Sequence, residues 1–136
     1  DTLNSIDRYV GSQGNDTMNG DAGNEFFRGE GGNDTINLVD GGNDTIEFAG
    51  TFGNDTINTF DAVGGSIANQ DILDLRAYGL TAATFAGRVA ITTSGANTLV
   101  TIDDTNGAGG VVLGTITLTG IAAANVTLAG GDFLLV

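Results

Sequence analysis

The sequence predicts an all-β chain: a parallel β-roll (a two-sheet solenoid) over residues 1–60, followed by an antiparallel β-rich C-terminal cap over residues 61–136. Three observations predict it. Units rich in glycine and aspartate recur about every nine residues in the first part. Each unit carries an apolar residue in a constant slot. From about residue 60 the glycine-rich pattern gives way to Thr-, Val-, Ile- and Leu-rich segments separated by turn residues.

The repeat is legible as a tetrapeptide. Gly-Asn-Asp-Thr occurs at 14–17, 32–35, 42–45 and 53–56, with a degenerate copy at Gly23-Asn24-Glu25-Phe26. The acidic position runs Asp16, Glu25, Asp34, Asp44 and Asp55, in steps of 9, 9, 10 and 11 residues. The first three units are 11–19, 20–28 and 29–37; insertions such as Leu38 then loosen the period. Asp7, nine residues before Asp16, marks a worn first turn.

Each unit divides in two. Its first six positions are mostly Gly, Asn and Asp, residues that tolerate left-handed backbone, so they form a turn. Its last three carry an apolar residue between two others, which suits a short strand with its middle residue inward. The apolar slots hold Met18, Phe27, Ile36, Ile46 and Ile57. A turn plus a strand is half a coil, so successive strands fall on opposite sheets. One unit cannot bury its apolar residue alone, whereas stacked neighbours can. A flexible linker does not explain apolar slots that stay in phase with the acids.

In the cap, Ile72 to Leu75, Arg88 to Thr93, Thr98 to Asp103, Val111 to Thr119 and Val126 to Leu128 read as strands. Ser94-Gly95-Ala96-Asn97 and Asp103-Asp104 with Asn106-Gly107 read as hairpin turns. Leu80 to Gly87 fits a short helix, Asp74 a local turn cap, and Phe133 to Val136 a last core strand. The cap covers strand edges that a solenoid end leaves open.

Composition narrows the function. The 136 residues carry 17 Asp and Glu against 4 Arg and no Lys, for a net charge of −13. Such a chain repels nucleic acid and anionic membrane, and its partners are cations. At 40% hydrophobic it exceeds the range of disordered acidic chains. Without His or Cys there is no disulfide, no soft-metal site and no Ser–His or Cys–His catalysis. No apolar run has membrane-spanning length. The chain opens in mid-pattern at Asp1-Thr2-Leu3, so an upstream domain of a parent protein is expected.

Units n and n+2 stack on the same edge of a two-sheet roll. Asp16, Asp34 and Asp55 then share one edge, and Glu25 and Asp44 the other. Strands stack about 4.8 Å apart. Two carboxylates at about 5 Å repel by about 0.8 kcal/mol in water and about 3 kcal/mol at an effective dielectric of 20. The ladder is unstable unless cations sit between its rungs. The donors are carboxylates and the carbonyls of glycine turns, an oxygen-only set that selects calcium or magnesium. A cage built largely of backbone carbonyls favours calcium.

These units resemble the G-G-x-G-x-D-x-U-x repeats of RTX proteins. The resemblance implies calcium ions between coils n and n+2, about two to five in all. It implies side-chain ligands Asp16, Asp34, Asp44 and Asp55, with Glu25 in a departed unit that also carries two phenylalanines. Carbonyls around Gly11, Gln13, Gly14, Gly29, Gly31 and Gly32 would complete the cages. The 42–47 unit has Val39-Asp40 in place of its first glycine. The run from Gly53 through Phe60-Asp61 to Asp71-Ile72-Leu73-Asp74-Leu75 resembles the end of the roll in serralysin-type exoproteins. That implies a further ligand at Asp71 and a weaker one at Asp61. Asp132-Phe133-Leu134-Leu135-Val136 resembles their C-terminal type I secretion signal.

The expected function is therefore a non-catalytic calcium-binding module. It folds on meeting extracellular calcium and directs type I secretion of a larger exoprotein, so it is found outside the cell or at its surface. The alternative is a calcium-dependent adhesion, S-layer or polysaccharide-binding module, for which the chain offers 2 Tyr and 7 Phe, several of them in core slots.

Overall fold

A computed structural model describes residues 8–39, 41–62, 69–105 and 110–136. Asp7, Asp40 and the Asn106-Gly107 turn lie outside the described residues.

The roll consists of short strands, three residues long except for the six-residue β6, laid alternately on two sheets. Strands β1 (Arg8–Val10), β3 (Phe26–Arg28), β5 (Thr45–Glu47) and β7 (Ile72–Asp74) stack in parallel, and β11 (Phe133–Leu134) closes that sheet against β7. Strands β2 (Thr17–Asn19), β4 (Thr35–Asn37) and β6 (Gly53–Asn58) stack in parallel on the other. That second sheet continues through β10 (Val112–Leu118), β9 (Asn97–Asp103) and β8 (Val89–Ser94). A turn of six residues reverses the chain only if several positions take unusual backbone angles. Gly32 and Gly53 do so, at φ +112° and +89°.

The register confirms the apolar slots. Tyr9, Phe27, Ile46, Leu73 and Phe133 align along one sheet. Met18, Ile36, Ile57 and Leu118 align along the other. Phe27, Ile36, Ile46 and Ile57 are fully buried, and one apolar core runs from the roll into the cap. Tyr9 stacks on Phe27 with ring centroids 4.8 Å apart.

The cap is partly antiparallel. β8, β9 and β10 form antiparallel pairs, and Gly95 at φ +62° makes the tight turn between β8 and β9. Two strands join the roll in parallel instead: β10 on β6, and β11 on β7. Arriving through a long connection, β10 extends the existing parallel ladder and covers its open edge. A helix, α1 (Ala82–Arg88), fills the ambiguous segment. The Thr81 N–H donates to Thr84 Oγ1 at 3.0 Å at its start, and Phe85 on its inner face packs on Phe133. Val126 to Leu128 form no strand: a short 3₁₀ helix, Ala123–Asn125, leads into them, and a turn follows. Val126 is buried without pairing, so its hydrophobicity reports burial alone. Asp74 caps its turn by accepting the Arg76 N–H at 3.1 Å.

Among the described residues no helix is long and apolar enough to cross a membrane.

A carboxylate ladder on both edges of the roll

Four of the acids at the repeat position, Asp16, Glu25, Asp34 and Asp44, hold the next coil through their backbone carbonyls. Thr35 N–H donates to Asp16 O at 2.9 Å, Thr56 to Asp34 O at 2.8 Å, Thr45 to Glu25 O at 2.9 Å and Ile72 to Asp44 O at 2.8 Å. The side chains repeat the same step. On one edge Asp34 Oδ1 accepts the Asp16 N–H at 2.9 Å, and Asp55 Oδ1 accepts the Asp34 N–H at 2.9 Å. On the other, Asp44 Oδ1 accepts the Glu25 N–H at 2.8 Å, and Asp71 Oδ1 accepts the Asp44 N–H at 2.9 Å. Asp71 is thus the third rung of the Glu25–Asp44 edge, despite standing 27 residues after Asp44.

The glycine and glutamine positions line the same turns. A methyl group at Gly11 would lie 2.6 Å from Gly29 O and 2.8 Å from an Asp16 carboxylate oxygen, and one at Gly29 would overlap Asp34 Oδ2. A methyl at Gly32 would lie 2.6 Å from Gly14 O, and one at Gly31 2.9 Å from Gln13 Oε1. Gly11, Gln13, Gly14 and Asp16 therefore form one turn, with Gly29, Gly31, Gly32 and Asp34 stacked against it. At Gly11, Gly29 and Gly32 only glycine leaves room for the neighbouring carboxylates and carbonyls.

Asp34, Asp44 and Asp55 are each 1% exposed, Asp71 2% and Glu25 3%. Burial pushes the carboxyl of Asp55 up to about 7 and that of Asp71 to about 6, and raises those of Asp34 and Asp44. Burial and then the neighbouring Asp44 charge raise Glu25 likewise. Desolvation penalises the charged form, and the backbone amides offset only part of the cost. Three oxygens in this set, Glu25 Oε1, Asp34 Oδ2 and Asp44 Oδ2, are buried without any hydrogen-bond partner. An orphaned buried oxygen costs about 1–3 kcal/mol, more when charged.

A hard divalent cation fits that deficit. It would take the orphaned oxygens as ligands and hold the buried carboxylates in their ionised form. Among the described residues no three His, Cys, Asp or Glu side chains converge on one point, so backbone carbonyls would supply most of each cage. That ligand balance suits calcium over magnesium, which demands a regular octahedron.

Asparagine ladders, which sequence reasoning missed, stitch the same coils together. Asn15 Oδ1 accepts the Asn33 N–H at 2.8 Å, and Asn33 Oδ1 accepts the Asn54 N–H at 2.9 Å. Asn24 Oδ1 takes the Asn43 N–H, and Asn43 Oδ1 that of Gln70, both at 2.8 Å. On the outer face Asn37 Nδ2 donates to Asn19 Oδ1 at 2.7 Å and Asn58 Nδ2 to Asn37 Oδ1 at 2.6 Å. The periodic recurrence of Asn beside each acid and at the end of each TMN- or TIN-type strand was the available signal.

Residues 1–36 match the family described as RTX calcium-binding nonapeptide repeat (4 copies). A comparison with curated proteins finds no match. Among solved structures, the AlgE6R3 subunit of the Azotobacter vinelandii mannuronan C5-epimerase aligns with a TM-score of 0.51 at 21% identity, over 91% of this chain and 80% of that one. The AlgE6R2 subunit of the same epimerase aligns with a TM-score of 0.49 at 25% identity, over 93% and 91%. The extracellular lipase LipA from Serratia marcescens aligns with a TM-score of 0.49 at 20% identity, over 98% of this chain but 22% of the lipase. This chain therefore spans under a quarter of the lipase's length. The AlgE6R3 likeness supports the fold, and the family match supports the repeats. Residues 1–36 thus match RTX calcium-binding nonapeptide repeats, and the fold that holds them is a parallel β-roll.

Proposed function

We propose that this chain is a folding switch driven by calcium, and that its C-terminal tail directs type I secretion of a larger exoprotein into calcium-rich surroundings. Residues 1–60 would act as the ion-binding roll and residues 61–136 as the cap that ends in the secretion signal, Asp132 to Val136. The ions would lie between stacked turns, held by the acidic rungs and by carbonyls around Gly11, Gln13, Gly14, Gly29, Gly31 and Gly32. One observation carries the reading: buried carboxylates whose second oxygens have no partner.

At low calcium the ladder's desolvation and self-repulsion oppose folding, and an unfolded chain can thread a narrow export channel. Calcium at about 10⁻⁴–10⁻³ M fills sites of the extracellular kind. Binding to the folded state alone then adds its free energy to folding.

The test is circular dichroism at about pH 8 during a calcium titration of the full chain prepared in EDTA, with magnesium as control. A disordered spectrum that becomes β-rich with calcium and not with magnesium is expected. A β-rich spectrum in EDTA that calcium leaves unchanged would sink the switch.

A further inference from the structure

The six-stranded sheet ends on β8, which pairs with β9 alone among the described residues. The other outermost strands of the two sheets are short: β1 and β2 have three residues each and β11 has two. β8 has six, Val-Ala-Ile-Thr-Thr-Ser, with no charge, no proline and no glycine. An open edge is ordinarily blunted by shortness, charge, proline or a bulge. β8 has none of these, and its register on β9 runs without a shift.

The turn fixes which backbone groups of β8 face outward. Gly95, at φ +62°, stands first in the two-residue turn Gly95-Ala96, so the strands close on Ser94 and Asn97 as a hydrogen-bonded pair. Bonding alternates along an antiparallel pair. Ala90, Thr92 and Ser94 therefore turn their N–H and C=O to β9, while Ile91 and Thr93 turn theirs to the open side. Ala90, Thr92, Thr93 and Ser94 are exposed. Val89 is buried and Ile91 packs partly against the core, so the inner face of the strand stays apolar close to the edge.

We propose that β8 is an association edge, at which two copies of this chain pair antiparallel about a twofold axis at Ile91 and join their six-stranded sheets into one. The strand itself specifies a second copy as its occupant. Pairing about Ile91 sets Val89 opposite Thr93 of the second copy, Ala90 opposite Thr92, and Ile91 opposite Ile91. Every pair then joins residues of the same face, so the apolar row continues across the axis. The two Ile91 residues exchange both backbone bonds, and each Thr93 N–H donates to Val89 O of the other copy. The Val89 N–H is already spent on Phe85 O. Charge selects the same place. At a net charge of −13, two copies repel wherever their acidic turns meet. The uncharged run of β8 brings no carboxylates together, and the charged residue beside it in sequence is a cation, Arg88. Added salt screens the remaining repulsion and tightens the pair.

The test is sedimentation equilibrium of the full chain at saturating calcium over a range of chain concentrations, with circular dichroism to confirm the fold of each variant. The wild-type chain passes from monomer to dimer as its concentration rises. Thr93→Pro removes an outward N–H and no bond to β9, and weakens the dimer at least about tenfold. Ala90→Glu combined with Thr92→Glu sets like charges opposite each other on both sides of the axis and abolishes the dimer. Ala90→Arg combined with Thr92→Glu sets opposite charges there and keeps it. A wild-type chain that stays monomeric overturns the proposal. So does a dimer unweakened by either Thr93→Pro or the paired Glu, or one lost in the Arg and Glu combination.

Discussion

Removing calcium should reverse the sign of the chain's pH dependence. In the metal-free fold, burial raises the carboxyls of Asp55 and Asp71 from 3.8 to about 7 and about 6. A folded-state value above the unfolded one contributes stability that is fully present below the unfolded value, near 4. It is lost as pH rises through the folded value. For Asp55 the loss by pH 8 is about 4 kcal/mol, and for Asp71 about 3 kcal/mol. Glu25, Asp34 and Asp44 shift the same way. The total rivals the roughly 5–15 kcal/mol that holds a small domain together. In EDTA the chain should therefore be folded near pH 5 and largely unfolded at pH 8. With saturating calcium the ions hold the buried carboxylates ionised, so the slope inverts and stability falls as acid displaces the metal. Urea denaturation followed by circular dichroism between pH 5 and 8, with EDTA and with calcium, reads both slopes. Asp55→Asn should flatten the EDTA slope by about 2.6 kcal/mol across that range, because its carboxamide keeps an oxygen for Asp34 N–H and does not titrate. EDTA stability that is flat or rises with pH would refute the desolvation argument.

Two further outcomes follow from the packing. Ile36 is fully buried between Met18 and Ile57, so Ile36→Ala should cost about 2–5 kcal/mol in calcium-saturated denaturation. A cost below about 1 kcal/mol would mean the roll is not packed as described. Deleting Asp132 to Val136 removes β11 and leaves Leu73 N–H and Leu75 N–H without Asp132 O and Leu134 O, bonds of 2.9 and 3.0 Å. The truncated chain should need more calcium to fold in the circular dichroism titration, because β7, which pairs with β11, directly follows the Asp71 rung. An unchanged midpoint would show that the tail strand does not brace the roll.

The roll was legible because its physics is local and repeated. A six-residue turn and a three-residue strand leave few ways to stack, so Met18, Phe27, Ile36, Ile46 and Ile57 point inward in any two-sheet coil. The same period places Asp16 with Asp34 and Asp55, and Glu25 with Asp44. Apolar residues alone mislead where burial and pairing part company, as at Val126, which is buried with no strand partner. The parallel docking of β10 on β6 joins segments about 60 residues apart, and no local signal encodes it.

What the sequence by itself determined is therefore the periodic part: the coil, its inward row, the oxygen-only ladder and the cation chemistry that ladder requires. The tertiary structure alone decided which carboxylate oxygens remain without a donor. Ser12 reaches Asp16 within its own turn, and Asp61 reaches Asp71 from ten residues earlier in the chain. A repeat gives every rung the same letter. Its chemistry is set by the donors that the surrounding chain brings to each rung, and those differ from rung to rung.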